Sequence, residues 1–228
     1  MITLPAILDV PDKLRPIITD LGKYRFFLIE GGRTSGKSHT IARLLLYLGE
    51  IYKLRQVCGR ELWSTIDESV YTLLADLISR YNLDYTVRAK EIDHNKSGTT
   101  FHFRGFREQG AVSIKGMEGT DILWVDEGEA LRADTLKTLI PTIIRNPKAK
   151  IFITMNRYLD DDPAYAMLHN RPDCLHIHID YFENKWCPES SKAEAEMCKA
   201  TNADDYKHIW LGEPLAQANN AAFRNVQG

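Results

Sequence analysis

The sequence has no C-x-x-C spacing among its four cysteines, Cys58, Cys174, Cys187 and Cys198. Zinc-ribbon and dithiol chemistry are therefore not indicated, and reduced, partly buried thiols of a cytosolic protein are expected. It has no run of 18 uncharged apolar residues. The most apolar stretch, residues 41–51, contains Arg43 and Glu50 and reads as a buried helix, so no membrane contact is expected. No basic segment followed by an apolar one opens the chain, which argues against a signal peptide. An excess of charge of one sign is lacking as well. With a formal net charge of -2, any nucleic acid would be met through local patches and not through a global field. Repeats and low-complexity segments are lacking too.

What is there is a chain of 228 residues, 44% hydrophobic, which suits one domain with a small appendage. Its most informative segment is Gly31-Gly32-Arg33-Thr34-Ser35-Gly36-Lys37-Ser38, which fits the P-loop pattern G-x-x-x-x-G-K-[ST]. The apolar run Phe26-Phe27-Leu28-Ile29 precedes it, and a largely apolar stretch from His39 to Leu48 follows. Strand, glycine turn and helix is the context the pattern requires. A chance match in a chain of this length is on the order of one in a hundred, given glycine's usual abundance. Gly31 and Gly36 let the backbone bend and bring its N–H groups against phosphate oxygens. The positive end of the helix dipole near Lys37 faces the same anion. Lys37 is placed to reach the β- and γ-phosphates, and the Ser38 hydroxyl to ligate Mg²⁺.

A second motif supports the first. Ile122-Leu123-Trp124-Val125-Asp126-Glu127 is an apolar strand ending in two carboxylates, a Walker B pattern. Parallel α/β sheets place their ligands at such C-terminal strand ends. Asp126 is expected to hold Mg²⁺ and Glu127 to polarise the attacking water. A further buried strand, 150–154, follows, and this order with a glutamate at position 127 marks the additional-strand, catalytic-glutamate division of P-loop NTPases. GTPases would show N-K-x-D after the acidic strand, where this chain has Thr154-Met155-Asn156-Arg157; an L-S-G-G-Q stretch is also missing. The expected fold is α/β, a mainly parallel sheet flanked by helices with a small helical C-terminal lid.

Residues 1–24, punctuated by Pro5, Pro11 and Pro16, read as a leader in which Asp12 caps a short helix. Residues 25–183 read as the core and 184–228 as a helical lid or linker. Within the core, strands are expected at 25–30, 56–59, 122–127, 150–154 and 175–179, and helices at 37–52, from Ser64 to Arg80 and from Asp134 to Arg145. Alternation over 85–92 and 99–106 around Asn95-Lys96-Ser97-Gly98 predicts a β-hairpin. His176, His178 and Asp180 alternate at a possible metal spacing, but polar alternation on an edge strand is the commoner meaning. Asp160-Asp161-Asp162 before Pro163 reads as a helix start capped by Asp162. Tyr24 and Arg25, just ahead of the P-loop strand, are candidates to stack on a nucleotide base.

Several segments together resemble the large terminase subunits of tailed phages. The P-loop is similar to that family's GGRGSGKS form. Lys115-Gly116-Met117-Glu118-Gly119-Thr120-Asp121 leading to Trp124-Val125-Asp126-Glu127-Gly128-Glu129-Ala130 resembles the family's approach to its acidic strand end. Arg60-Glu61 through Ser69-Val70 resembles its spacing after the second strand. Thr154-Met155-Asn156 resembles its coupling motif, and Tyr206 to Pro214 the segment that closes its ATPase region. The likeness covers roughly residues 20–215.

The resemblance implies an ATPase that drives double-stranded DNA into a procapsid in the host cell cytoplasm. Implied partners are a small terminase subunit, the portal and further copies of the chain in a ring. It implies ATP and Mg²⁺ as ligands, with Lys37, Ser38, Asp126 and Glu127 in the roles above. Arg33 would contact the γ-phosphate, and Asn156 would sense it from the neighbouring strand. Two positions depart from the pattern: Arg157 stands where proline is usual, and Gly128 where alanine is usual. The cation acting on a neighbour's nucleotide is left open among Lys115, Arg104 and Arg107. Nothing after residue 215 supplies the clustered carboxylates of a nuclease, so no nuclease activity and a mostly monomeric isolated chain are expected. Two other readings stand beside this one. They are a different DNA-dependent motor such as a helicase, for which a second motor lobe is wanting, and a non-catalytic nucleotide switch, which would not need Glu127.

Overall fold

A computed structural model describes residues 5–62, 70–107 and 116–215. Its centre is one eight-stranded sheet in the order β3-β4-β5-β2-β6-β7-β1-β8. The chain enters through short turns and a helical turn, α1 (Pro16–Thr19), then β1 (Phe26–Glu30) and α2 (Lys37–Ile51). β2 (Arg55–Arg60), α3 (Thr72–Tyr81), β3 (Tyr85–Arg88), β4 (Glu91–His94) and β5 (Thr100–Gly105) follow. Next come β6 (Ile122–Val125), α4 (Ala133–Ile143), β7 (Lys150–Met155), α5 (Pro163–Leu168) and β8 (Cys174–His178). Helix α6 (Glu189–Thr201) and the turns Ala203–Asp205 and Tyr206–Trp210 close the described chain.

Pairing is parallel from β5 to β8, and only the β3-β4-β5 edge is antiparallel. The central strands are buried along their whole length, β1 and β6 without exception. This explains their unbroken apolar sequences: a strand covered by helices on both faces has no polar side to alternate with. Strand β7 lies between β1 and β6, pairing Ile29 with Thr154 and Val125 with Ile153. The phosphate-loop strand and the acidic strand are thus separated by one further strand, as the division by strand order requires. One face of the sheet packs on α2 and α3, where the rings of Phe27 and Phe152 stack at 4.6 Å. The other packs on α4 and α5 through Leu136, Leu139 and Leu168.

Three sequence expectations are corrected. Residues 85–92 are two strands, not one: a tight turn at Ala89-Lys90 folds β3 onto β4 before the expected hairpin. A two-residue turn preserves the alternation of sides, so the pattern could not show the break. Residues 5–24 are not peripheral, because Ile7, Leu8, Leu14 and Ile17 are buried in the same cluster as α2. Asp162 does stand before α5, but its Oδ2 accepts from the Tyr158 backbone N–H at 2.7 Å, and it forms no side-chain bond to the helix. Ser64, Ser69 and Lys115 lie outside the described residues.

Candidate functional site

The P-loop spans the turn from β1 to α2. Gly36 precedes the helix with φ +88°, a left-handed conformation that glycine adopts at no steric cost. Thr34 is also left-handed, at φ +56°, a strained position for a β-branched residue. It is held there by Asn184, whose Nδ2 donates to the Thr34 carbonyl at 2.8 Å. Lys37, the first residue of α2, is 8% exposed. Its Nζ donates to the carbonyls of Gly31 and Gly32, both at 2.7 Å, to Ser35 Oγ at 3.0 Å and to Asn156 Oδ1 at 2.8 Å. Burial lowers the Lys37 pKa to about 8, against the pull of Glu129 and Asp126.

Parallel register brings the acidic strand end to the same place. Asp126 Oδ1 accepts from Ser38 Oγ and from Thr154 Oγ1, both at 2.7 Å. Its Oδ2 accepts from Arg60 Nη2 at 2.7 Å. Arg60 Nη1 also pairs with Glu127 Oε2 at 2.8 Å. Glu127 is left-handed at φ +55°, a conformation costing a non-glycine residue about 1–2 kcal/mol. Burial pushes the Glu127 carboxyl up, the Arg60 charge pulls it down, and the first prevails. Glu129 is pushed up to about 7 by burial, although it accepts from the Asn156 backbone N–H at 3.1 Å. These side chains line a 260 Å³ cavity with Arg33, which is exposed. The hard oxygens of Ser38 and Asp126, in contact beside buried Lys37, are a donor set that suits Mg²⁺.

Sequence reasoning thus brought Gly31, Gly32, Arg33, Thr34, Ser35, Gly36, Lys37, Ser38, Asp126, Glu127 and Asn156 to one place. It did not do so for Tyr24 and Arg25. They precede β1 at its far end, roughly 20 Å or more from the loop at about 3.3 Å per residue. There Arg25 Nη2 donates to the Pro147 carbonyl at 2.8 Å and Lys150 caps the Tyr24 carbonyl. A base bound at the P-loop cannot reach them, and the stacking expectation is withdrawn. Arg104, on β5, donates to the Phe103 carbonyl and does not line the cavity, nor does Arg107.

Arg60 and Glu129 are site residues without an assigned role in the sequence reading. Arg60 ends β2, and only the neighbouring of β2 and β6 puts it against both carboxylates. His176 hydrogen-bonds buried Glu30 at 2.8 Å, and His178, 3.8 Å from Glu30, hydrogen-bonds Asp180 at 3.1 Å. Burial would raise Glu30, but these histidines and Arg157 bring it down to about 2. Among the described residues no group of three or more His, Cys, Asp or Glu side chains is arranged to hold a metal ion. The two departures also have local reasons. The Arg157 guanidinium sits 3.7 Å over the Tyr165 ring and faces Glu30. At Gly128 a Cβ would lie 2.3 Å from Ile153 Cγ2.

The C-terminal segment braces the loop from outside. The Arg33 N–H donates to the Ile209 carbonyl at 2.9 Å, and Gly212 packs on Gly31. A Cβ on Gly32 would stand 1.9 Å from the Trp210 carbonyl oxygen, so backbone must move to admit one. Overpacking of this kind costs about 1–3 kcal/mol. Gly32→Ala is expected to lower the melting temperature by roughly 2–10 °C. An unchanged thermal melt would show that the brace is slack.

The strand order and the facing lysine and carboxylates define a P-loop NTPase of the additional-strand, catalytic-glutamate class. Residues 23–213 match the family model described as phage terminase large subunit, and the chain belongs to that family. It is 21% identical over 227 residues to the large terminase subunit of Bacillus phage SPP1, covering 88% of this chain and 51% of that one. The large terminase of a thermophilic bacteriophage superposes with a TM-score of 0.76 at 12% identity, over 90% of this chain and 54% of that one. A structure of the same phage protein in complex with ATP-gamma-S gives 0.70 at 14% identity, over 90% and 52%. The large terminase ATPase domain of Thermus phage P74-26 gives 0.54 at 12% identity, over 88% of this chain and 97% of that one. The chain spans about half the length of the curated relative it matches.

Proposed function

We propose that this chain is the ATP-hydrolysing motor domain of a large terminase, moving double-stranded DNA into a procapsid. The observation that carries the reading is the convergence of Lys37, Ser38, Asp126, Glu127 and Asn156 on one cavity at the C-terminal ends of three adjacent parallel strands. Lys37 and the P-loop backbone bind the phosphates, and Arg33 adds a fixed charge at the cavity mouth. Ser38 and Asp126 would hold Mg²⁺, which would supply charge neutralisation at the phosphates. Glu127 orients a water and takes its proton as the oxygen bonds to the γ-phosphorus. The bond to the β–γ bridging oxygen breaks, leaving ADP and phosphate. Asn156, just past the end of the strand between, couples Lys37 to Glu129 and so registers what the lysine touches. DNA, the small subunit, the portal and sister subunits in the host cytoplasm are the proposed surroundings. Among the described residues no helix is long and apolar enough to cross a membrane.

The test is ATP hydrolysis with and without double-stranded DNA, across a wide range of protein concentration. A cation from a sister subunit can raise phosphoryl transfer by about three or more decades. Specific activity is therefore expected to be low in dilute monomer and to climb as light scattering reports assembly. Fast turnover with flat specific activity in a monomer would show a site complete within one chain. No hydrolysis at any concentration would leave only a nucleotide switch.

A further inference from the structure

We infer that the slot between Trp186 and the start of α2 holds the nucleobase of the bound nucleotide. The inference rests on the phosphate site proposed above and adds the part of the ligand that site does not hold. A cavity of 310 Å³ adjoins the phosphate cavity, within the size range of small-molecule sites. Thr34, Gly36 and His39 line both. A nucleotide anchored by its phosphates at the P-loop therefore lies directly beside the second cavity.

The walls differ in chemistry as a nucleotide does. The phosphate cavity is lined by Lys37, Arg33 and carboxylates, whereas the slot has apolar walls in Trp186, Pro11 and Pro188 beside Arg43, Arg80 and His39, and among the described residues no carboxylate lines it. Trp186 is 42% exposed, unusual for an indole in a fold that buries Trp124 completely. The Arg43 and Lys185 cations lie 5.5 and 4.2 Å from the Trp186 ring centre. Arg43, itself a wall of the slot, also lies 5.5 Å from the ring of Tyr81 on α3. Its Nε is buried without a hydrogen-bond partner among the described residues.

Asn184 joins slot and loop. Its Nδ2 holds the strained Thr34 carbonyl, and its Oδ1 accepts from the Trp186 N–H at 3.1 Å. A Cβ at Gly36 would meet both Asn184 and Pro11, at 3.3 and 3.4 Å. The wall of the slot is therefore built directly on the phosphate loop. Base on indole is a contact that every nucleobase can make, since each has a π-face.

Calorimetric titration with Mg-ATP and with Mg-tripolyphosphate, which lacks base and sugar, tests this. Trp186→Ala is expected to weaken ATP binding about tenfold, the effect of losing one base–aromatic contact, and to leave tripolyphosphate within about twofold. Trp186→Phe, which keeps a ring, is expected to restore most of the ATP affinity. Trp186→Ala that changes neither ligand, or weakens both equally, overturns the inference. Tripolyphosphate binding the unsubstituted protein as tightly as ATP overturns it alone, leaving the phosphate site standing. Failure of both ligands to bind overturns the phosphate site and the slot together.

Discussion

Lys37→Ala is expected to weaken ATP binding by at least about a hundredfold. The ammonium is enclosed at the centre of the phosphate cavity, and its donors point into the loop. A hydrogen bond from a charged donor contributes about 1.5–3 kcal/mol. Two such bonds to phosphate oxygens make about 3 kcal/mol or more, and each 1.4 kcal/mol is a factor of ten. Loss of the side chain also takes a donor from the Gly31 and Gly32 carbonyls and from Asn156, so the empty loop relaxes away from its binding shape. Calorimetry on a variant whose circular dichroism matches the original decides the matter. A dissociation constant within about threefold of the original would mean that backbone N–H groups alone hold the phosphates.

Glu127→Gln is expected to leave ATP affinity nearly unchanged and to slow hydrolysis by about 10²–10⁴-fold. The two side chains share shape, so the left-handed turn at 127 is expected to keep its form. A carboxamide cannot take the proton of the attacking water. It also loses the ion pair with Arg60, which frees that guanidinium to bind Asp126 alone. Single-turnover hydrolysis separates this from a binding defect. Turnover at the original rate would move the base elsewhere, with Glu129 the next carboxylate on the cavity.

The phosphate loop and the acidic strand end were legible because each is a short pattern whose chemistry is local. Strand β7 was legible as an element, and its position after the acidic strand correctly gave the class. Arg60 and Glu129 were not assigned as site residues because their places depend on which strands are neighbours. No residue near Arg60 in the sequence signals that β2 lies beside β6. Tyr24 and Arg25 misled for the opposite reason. They are close to the P-loop along the chain, but an extended strand carries neighbours apart faster than any other regular structure. Trp186 is the reverse case: it is far from the loop in sequence and joined to it by one asparagine. The Ala89-Lys90 turn escaped because it left the alternation of its strands intact.

The brace between Gly32 and Trp210 bears on the order of folding. All the residues of the phosphate motif lie within one turn and could in principle be shaped as soon as β1 and α2 meet. Their backbone, however, leans on a segment that emerges only near the end of the described chain. Contacts of such long sequence separation close late, because the chain between them must lose its freedom first. The anion-binding shape is therefore expected to stay incomplete until that segment docks. A nascent chain displaying the whole motif but not yet Trp210 would carry the signature of a nucleotide site without its geometry.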